Sequence, residues 1–188
     1  MINFFAYLSR MKHIKRWGLM KNTEQENIKE HSLDVAIIAH ALAIIGNTYY
    51  NKNYDEKHIM TLAVFHEASE VITGDLATPI KYYNPEINNA YKNIEAVAVK
   101  KLLSMLPEEL QPKYEELMCN EEDYELVKAA DKISAYIKCI EEVKSGNLEF
   151  IKAKSNLENT VKSIKLDEVK LFVKECIPAY ELTLDELN

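Results

Sequence analysis

The chain has 188 residues, of which 47% are hydrophobic, and this is enough to bury one core without disulfide or metal staples. Its formal net charge of -7 opposes binding to a nucleic-acid backbone, because such binding depends on neutralising phosphates. Its three cysteines are far apart and form no CxxC pair, which argues against a disulfide framework and a cysteine zinc site. We therefore expect one cytoplasmic domain, spanning residues 1–188, that acts on a small molecule and not on a nucleic-acid polymer.

No segment of the sequence predicts a membrane span. The longest apolar run, VAIIAHALAII, has 11 residues and contains His40, whereas about 20 apolar residues are needed to cross a bilayer. The amino-terminal segment MINFFAYLSRMKHIKRW has an apolar stripe, but charges interrupt it and it lacks a small-residue cleavage site. We expect a first core helix there and no membrane partner.

The spacing of apolar residues predicts an all-α fold. Such residues recur at intervals of three and four almost everywhere, and no segment sustains the alternation of a strand. The four glycines follow helical patterns, where a left-handed cap residue is favoured. Pro85 and Pro107 stand where first helical turns would begin, and Pro178 should kink or end an apolar pattern. The predicted helices cover about residues 3–15, 27–45, 55–72, 85–105, 107–118, 121–145, 147–164 and 167–187.

The segment FHEASEVITGDLATP concentrates a histidine and three carboxylates. On a helix, His66 and Glu70 share one face and Glu67 lies one step to the side. Apolar neighbours turn this face toward packed helices, where polar groups are costly unless they are paired or bind a cation. A frayed helix end with solvated glutamates and a core histidine explains the same residues. The zinc-peptidase pattern HExxH does not apply, because Glu70 occupies the position of its second histidine.

Two further polar residues stand in apolar helical patterns. His31 lies near the start of a strongly apolar helix, whereas His40, nine residues later, faces the opposite side and is interpreted as structural. Asp131 lies within LVKAADKISAYIKCIEE and has no basic residue four positions away on either side. An aspartate in such a place should be exposed, paired across helices, or a metal ligand.

In this order, His31, the pair His66 and Glu67, and Asp131 resemble the metal set of the HD-domain phosphohydrolase superfamily. The stretches RWGLM, ENIKEHSLDVA, FHEASEVITGDLATPIKY, LVKAADKISAYIKCIEE and GNLEF resemble, in order and spacing, the bacterial HD-domain 5′-deoxynucleotidases. Those enzymes remove phosphate from deoxyribonucleoside monophosphates. The resemblance implies a single HD-domain helical bundle, usually a homodimer, with one divalent metal ion and a nucleoside monophosphate as substrate.

The resemblance also assigns roles to residues. Arg16 would orient the phosphate and Trp17 would pack against the sugar, whereas Glu70 and Asp75 would act near the attacking water and the leaving group. The metal would be held by His31, His66, Glu67 and Asp131. The substrate would be bound by Arg16, Trp17, His31, Glu67, Asp75, Leu76, Ala77, Thr78 and Asp131.

These side chains suit the implied chemistry. A cation held by two imidazoles and two carboxylates can acidify bound water and polarise a phosphoryl oxygen, and such ligands suit Mn, Fe, Co, Ni or Zn. The planar guanidinium of Arg16 matches a phosphate, although a surface cation beside a core aromatic would also explain Arg16 and Trp17. Glu70 can take a proton from the water if burial and the ion tune its acidity. Asp75 follows a helix end, where it either acts on the substrate or caps the next turn.

One position departs from the superfamily pattern, since the pair His-Asp is His66-Glu67 in this chain. A glutamate still coordinates such cations at about 2.0 to 2.2 Å, but affinity, metal preference or rate can change. Two alternatives therefore stay open: a catalytically silent nucleotide-binding HD protein, and an HD phosphodiesterase acting on another nucleotide. The stretch after residue 146 carries no ligand candidate, and we expect it to serve packing or subunit contact.

Overall fold

The computed structural model describes residues 1–81, 83–119 and 124–187, and in these residues it confirms the all-α fold class. The described part of the chain contains no strand, and its one isolated bridge joins Lys15 and Asn27. Short 3₁₀ segments cover Ser9–His13, Leu148–Phe150, Ile177–Glu181 and Leu184–Leu187. The α-helices are α1 (Phe4–Leu8), α2 (Ile28–Tyr49), α3 (Glu56–Phe65), α4 (Glu70–Thr73), α5 (Thr78–Lys81), α6 (Pro85–Leu103), α7 (Gln111–Cys119), α8 (Tyr124–Lys144), α9 (Ile151–Ser163) and α10 (Asp167–Glu175).

The larger hydrophobic core lies where α2 packs between α3 and α8, and α9 and α10 complete it. Leu42 of α2, Leu62 of α3 and Ile133 of α8 are almost completely buried there. Each such side chain stabilises the fold by about 1.5 to 3 kcal/mol relative to its exposed state. A smaller cluster around Phe4 joins α1 to the end of α6. The packing of α2, α3 and α8 brings three distant parts of the sequence to one place.

The central helix α2 begins at a capping box, in which Asn27 accepts from the backbone of Glu30 and the Glu30 side chain accepts from Asn27. It has 22 residues and is long and apolar enough to cross a membrane by length and composition. In the fold it is the core helix, and Val35 and Leu42 are fully buried against its neighbours. The predicted end at residue 45 is wrong, because α2 continues through Gly46 to residue 49.

The helix predicted over residues 55–72 is interrupted at residues 66–69. The Nδ1 atom of His66 lies 2.6 Å from the carbonyl oxygen of Ala63, which in a continuous helix would accept from the amide of Glu67. The amide of Glu70 instead bonds to the carbonyl of Glu67, only three residues back. The side chain thus replaces a backbone donor, and the resulting turn carries both His66 and Glu67.

Other predicted boundaries differ near the chain's turns. Residues 3–15 form the short α1 followed by a 3₁₀ segment, and α7 begins at residue 111, so Pro107 does not start it. The predicted start at residue 121 lies outside the described residues, which resume at residue 124. Pro85 does stand in the first turn of α6, as predicted. The predicted end of the last helix at residue 187 is wrong, because α10 ends at residue 175, and the expected interruption of the helical pattern near Pro178 is confirmed.

Two of the four glycines have the predicted left-handed conformation. Gly74 has φ 73° and Gly146 has φ 85°, and each follows a helix. Gly46 lies inside α2, and Gly18 is not left-handed; in that part of the chain the left-handed residue is Trp17, with φ 58°. The prediction of a cap at Gly18 and Gly46 is therefore wrong.

Candidate metal centre and active site

The four predicted metal ligands converge in the structure. His31 comes from α2, His66 and Glu67 from the turn after α3, and Asp131 from α8, and one ligand atom of each lies within 4.8 Å of all the others. Nε2 of His31 is 3.1 Å from Oδ1 of Asp131, and Nε2 of His66 is 3.5 Å from Oε1 of Glu67. The two imidazole centroids are 5.4 Å apart. Helix packing therefore joins residues that are as much as 100 positions apart in sequence.

The histidine nitrogens fit a bound cation. Nε2 of His31 and Nε2 of His66 are buried and have no hydrogen-bond partner among the described residues, since the contact of His31 with Asp131 lacks hydrogen-bond geometry. Nδ1 of His66 donates to the carbonyl of Ala63, which leaves a lone pair on Nε2 of the neutral ring. Nδ1 of His31 lies 3.2 Å from Oγ of Ser134. Unpaired buried nitrogens beside two carboxylates are a donor set that a divalent metal satisfies.

The pKa shifts of His66 and Asp131 favour the forms of these side chains that bind a metal ion, whereas the shift of His31 does not. Burial lowers the pKa of His66, so this imidazole is neutral near pH 7. Burial opposes the charge of Asp131, but His31 and Lys132 more than offset it and hold the pKa of the carboxylate well below its usual value. For His31, burial lowers the pKa, but Asp131 and Glu26 raise it above its usual value. The pKa shift of His31 therefore favours its charged form, whereas the shifts of His66 and Asp131 favour the forms that bind a cation.

Two further predicted residues, Glu70 and Asp75, lie beside the ligands. Glu70 is 4% exposed, and burial together with the neighbouring carboxylate of Glu67 raises its pKa. Asp75 follows the left-handed Gly74, and burial raises its pKa although Arg16 opposes the shift. In the metal-free protein Glu70 is therefore protonated at neutral pH, next to an ionised Glu67.

Arg16 and Trp17 are joined by a residue that sequence reasoning missed. Oε2 of Glu26 accepts a hydrogen bond from Nε1 of Trp17 at 2.8 Å and from Nε of Arg16 at 3.3 Å. The indole of Trp17 also packs on Phe150, with 5.3 Å between ring centroids. A left-handed conformation at a bulky residue costs about 1 to 3 kcal/mol, so the surrounding contacts hold Trp17 in place. The local residue spacing does not predict a role for Glu26, because its partners lie 10 and 9 positions earlier in the sequence and are brought near only when the chain reverses direction.

A cavity of about 710 Å³ opens beside the cluster of candidate metal ligands. The carboxylates of Glu67 and Asp131 line its floor, whereas His31 is fully buried and is not among the lining residues. Lys81 and Lys132 also border the cavity, and nothing in their sequence surroundings distinguishes them from the other lysines. The predicted substrate-binding residues that line it are Arg16, Trp17, Glu67, Asp75, Leu76, Ala77, Thr78 and Asp131.

One wall of the cavity corrects an expectation. Ala153, Asn156, Leu157 and Thr160 lie on one face of α9 and border the cavity. The assignment of the stretch after residue 146 to packing or subunit contact alone is therefore wrong. Two polar residues on this face, at helical spacing, were the available signal, but they carry no metal-binding chemistry and so did not stand out.

Solved structures share this fold. An HD-domain phosphohydrolase from Listeria innocua superposes with a TM-score of 0.83 at 24% identity, covering 95% of this chain and 88% of that one. The cyanophage S-2L HD phosphohydrolase DatZ, bound to dA and one catalytic Zn²⁺, superposes with a TM-score of 0.64 at 21% identity, covering 92% and 95%. The fold is that of the HD-domain phosphohydrolases, and it brings His31, His66, Glu67 and Asp131 together in a cluster that could hold a metal ion.

Sequence relatives narrow the class. The family model of the YfbR-like 5′-deoxynucleotidases matches residues 3–180. A 5′-deoxynucleotidase from Yersinia pseudotuberculosis is 52% identical over 100% of this chain and 98% of its own length, and one from Yersinia pestis is 51% identical over the same shares. The chain belongs to the YfbR-like 5′-deoxynucleotidase family, as the sequence motifs predicted.

Proposed function

We propose that this protein, as a single HD domain, hydrolyses deoxyribonucleoside 5′-monophosphates to a deoxynucleoside and phosphate. The observation that carries the proposal is the convergence of four ligand atoms within 4.8 Å beneath a cavity that also holds Arg16. The names of the relatives, which are 5′-deoxynucleotidases, and the dA bound to the cyanophage enzyme support the substrate class.

One divalent cation would be held by His31, His66, Glu67 and Asp131, and when bound it would supply Lewis acidity and an acidified water. His66 presents its free Nε2 because Nδ1 is fixed on a backbone carbonyl. The two carboxylates balance the charge of a dication. The mixed ligands suit Mn, Fe, Co, Ni or Zn, and we propose that the natural metal is one of these.

Arg16 would hold the phosphate. Its Nε bonds to Glu26, and its two terminal nitrogens form no hydrogen bond to the described residues. These two donors can bind a phosphate as a fork. Trp17, next in sequence, lines the same cavity and would stand as an apolar wall near C2′ of the sugar. A 2′-hydroxyl would lose water there without gaining a partner, which disfavours ribonucleotides by about 1 to 3 kcal/mol.

Glu70 and Asp75 would handle the protons of the reaction. Burial and Glu67 raise the pKa of Glu70 to about 11. The charge of a cation bound at the neighbouring ligands would lower this pKa, and the carboxylate of Glu70 could then accept a proton from the attacking water. Asp75, whose pKa is raised by burial, can donate to the leaving 5′-oxygen. The two residues border the same cavity, on the side of the turn after α4.

We also propose that the protein is a cytoplasmic homodimer. Leu33, Ile37 and Ile44 lie on one face of α2 and are 59%, 60% and 39% exposed, which supports an apolar contact with a second copy. The described cysteines are all free, as in a reducing compartment. Light scattering of the wild-type chain and of Ile37→Lys should show a dimer and a monomer, and a monomeric wild type would contradict the proposal.

Metal analysis and phosphate release test the proposed function together. The purified wild type should bind one divalent metal and release phosphate from deoxyribonucleoside 5′-monophosphates well, from ribonucleotides poorly and from 3′-monophosphates hardly at all. His66→Ala and Asp131→Ala should lose metal and activity while the helical circular dichroism signal remains. His40→Ala, on the same helix as His31, is the matched control and should keep both.

Other results would redirect the proposal. A protein that binds one metal and nucleotide but releases no phosphate would be the silent binding protein. Hydrolysis of cyclic nucleotides in preference to monophosphates would favour the phosphodiesterase. Full metal content and full turnover in both His66→Ala and Asp131→Ala would remove these residues from the metal centre.

A further inference from the structure

Glu26 touches three functional groups of the site at once. Its Oε2 accepts from Nε1 of Trp17 at 2.8 Å and from Nε of Arg16 at 3.3 Å. Its Oε1 lies 3.7 Å from Nδ1 of His31. The residue is only 9% exposed, so these contacts are shielded from bulk water. One carboxylate thus contacts Arg16, which is proposed to bind the phosphate, Trp17, which is proposed to pack against the sugar, and the proposed metal ligand His31.

The backbone reinforces this connection. The amide of Arg16 donates to the carbonyl of Glu26 at 3.0 Å, and the amide of Ile28 donates to the carbonyl of Ile14 at the same distance. These two bonds pair the segment before Trp17 with the start of α2, the helix that carries His31. These backbone hydrogen bonds therefore fix the position of Arg16 relative to His31, the proposed metal ligand on α2.

The conformation of Trp17 depends on the same hydrogen bonds to Glu26. Its φ of 58° is rare for a residue with a bulky side chain. Its carbonyl accepts from the amide of Met20 at 2.9 Å and from Nδ2 of Asn22 at 3.3 Å, and its indole N–H donates to Glu26. Strained backbone of this kind persists where surrounding contacts determine it, and it occurs at functional sites.

Resting on the proposed function, we propose that Glu26 is a positioning residue that fixes Arg16 and Trp17 at one distance from the metal ligand His31. A single oxygen of Glu26 accepts from both the guanidinium and the indole, so the side chains of Arg16 and Trp17 cannot move independently. The discrimination between deoxyribose and ribose then depends on Glu26 as well as on Trp17. A carboxylate is required because a charged acceptor holds two donors more strongly than a neutral one.

The test compares Glu26→Gln and Glu26→Ala with the wild type, with Trp17→Ala and with the control Asp34→Asn. Asp34 is an exposed carboxylate one turn beyond Glu30 on α2, and its substitution leaves the hydrogen bonds of Arg16 and Trp17 in place. Trp17 is the single tryptophan, so its fluorescence reports directly on its hydrogen bond to Glu26, and neither metal nor substrate is needed for the measurement.

Both Glu26 variants should shift the emission maximum of Trp17 and increase its quenching by acrylamide in the metal-free protein. Their kcat/KM for a deoxyribonucleoside 5′-monophosphate should fall about 10- to 100-fold, as for residues that orient metal ligands. Their deoxy-to-ribo ratio should narrow toward that of Trp17→Ala. Asp34→Asn should match the wild type in all three measurements.

Wild-type emission and quenching in both folded Glu26 variants would overturn the proposal. An equal loss of kcat/KM for deoxyribo- and ribonucleotides would also overturn it, because a purely structural defect lowers both alike. If the wild type released no phosphate from any nucleotide, the proposed function would fail, whereas the fluorescence of Trp17 would still decide the role of Glu26. Glu26→Gln nearly preserves the shape of the side chain, which keeps the test valid if Glu26→Ala does not fold.

Discussion

Glu67 stands where the HD pair has an aspartate, and its longer side chain still reaches the cluster of candidate metal ligands. Oε1 lies 3.5 Å from Nε2 of His66, within the cluster of four ligand atoms. The turn that follows α3 carries both residues, so the backbone of Glu67 need not follow helical geometry. An extra methylene can thus be taken up by the turn without moving His66.

Substitution of Glu67 tests how far the site depends on that longer arm. Glu67→Asp should retain metal and show activity equal to or above the wild type, because it restores the superfamily pair. Glu67→Gln is the matched control; it keeps the length but removes the charge, and should lose metal. The measurements are metal content and the rate of phosphate release. Complete loss of activity in Glu67→Asp would show that the site is built around glutamate.

Glu70→Gln separates binding from chemistry. The variant should keep metal and nucleotide binding but turn over at least about 100-fold more slowly, the usual contribution of a positioned acid or base. Glu95→Gln is the control, since Glu95 pairs with Lys81 at 3.3 Å and is not among the residues that line the cavity. It should change turnover little. Near-normal turnover in Glu70→Gln, with metal content confirmed, would shift the role of base to Asp75.

At the scale of elements, apolar spacing predicted where most helices run but not where they break. The pattern across α2, α6, α8 and α9 is continuous, and packing follows it closely. The break at residues 66–69 depends on the bond from His66 to the carbonyl of Ala63, which competes with a backbone donor. Spacing reports which face is buried and carries no information on such competition.

The candidate site was predictable to the extent that its chemistry lies in short motifs. His31, His66, Glu67 and Asp131 are each unusual in an apolar pattern, so the sequence marks them individually. Glu26 and the cavity-facing residues of α9 are ordinary in their own surroundings. Their roles arise from contacts over long sequence distances, which only the packed structure establishes.

Gly46 shows how one element depends on the absence of a side chain. A Cβ at this position would lie 2.6 Å from Cε2 of Tyr54, whose hydroxyl donates to the buried Glu168 at 2.7 Å. Gly46→Ala should therefore lower the free energy of unfolding by about 1 to 3 kcal/mol, the usual effect of overpacking. Gly18→Ala is the control, because nothing lies within 4 Å of a Cβ there. Urea denaturation should show a loss for Gly46→Ala alone, and equal stability of the two variants would contradict the argument.

At the scale of the whole molecule, the site takes residues from the amino-terminal segment, α2, the turn after α3, α8 and α9. We therefore expect the packing of the segment before α2 against the carboxyl-terminal half of α8 to affect the shape of the cavity as well as the stability of the fold. Glu142, near the end of α8, accepts from the amides of Thr23 and Glu24, more than 100 positions earlier in the chain. The same carboxylate accepts from Asn147 and Lys138. The buried side chain of Glu142 thus connects the segment before α2 to the end of α8.

This connection predicts an acid-dependent loss of stability. Burial opposes the charge of Glu142, but Lys138, Asn147 and the amides of Thr23 and Glu24 more than offset it and lower its pKa from 4.5 to about 2. A carboxyl whose pKa is lower in the folded state stabilises the protein above its unfolded pKa, and this contribution is lost as the pH falls from about 4.5 toward 2. At neutral pH Glu142 is therefore ionised, and its stabilising contribution to the folded state is fully present.

Glu142→Gln should lower the free energy of unfolding at neutral pH by about 1 to 3 kcal/mol, since it removes the charge from a buried set of hydrogen bonds. The difference from the wild type should stay constant down to about pH 5 and shrink below it, because the wild-type carboxyl then begins to bind a proton. Urea denaturation of the metal-free proteins across this range measures the difference without contributions from the metal ligands. Glu141→Gln, at the adjacent position, is the control and should not lower the free energy of unfolding at neutral pH, because burial raises the pKa of Glu141 instead of lowering it. A difference that does not change with pH would show that Glu142 acts through its shape and not through its charge.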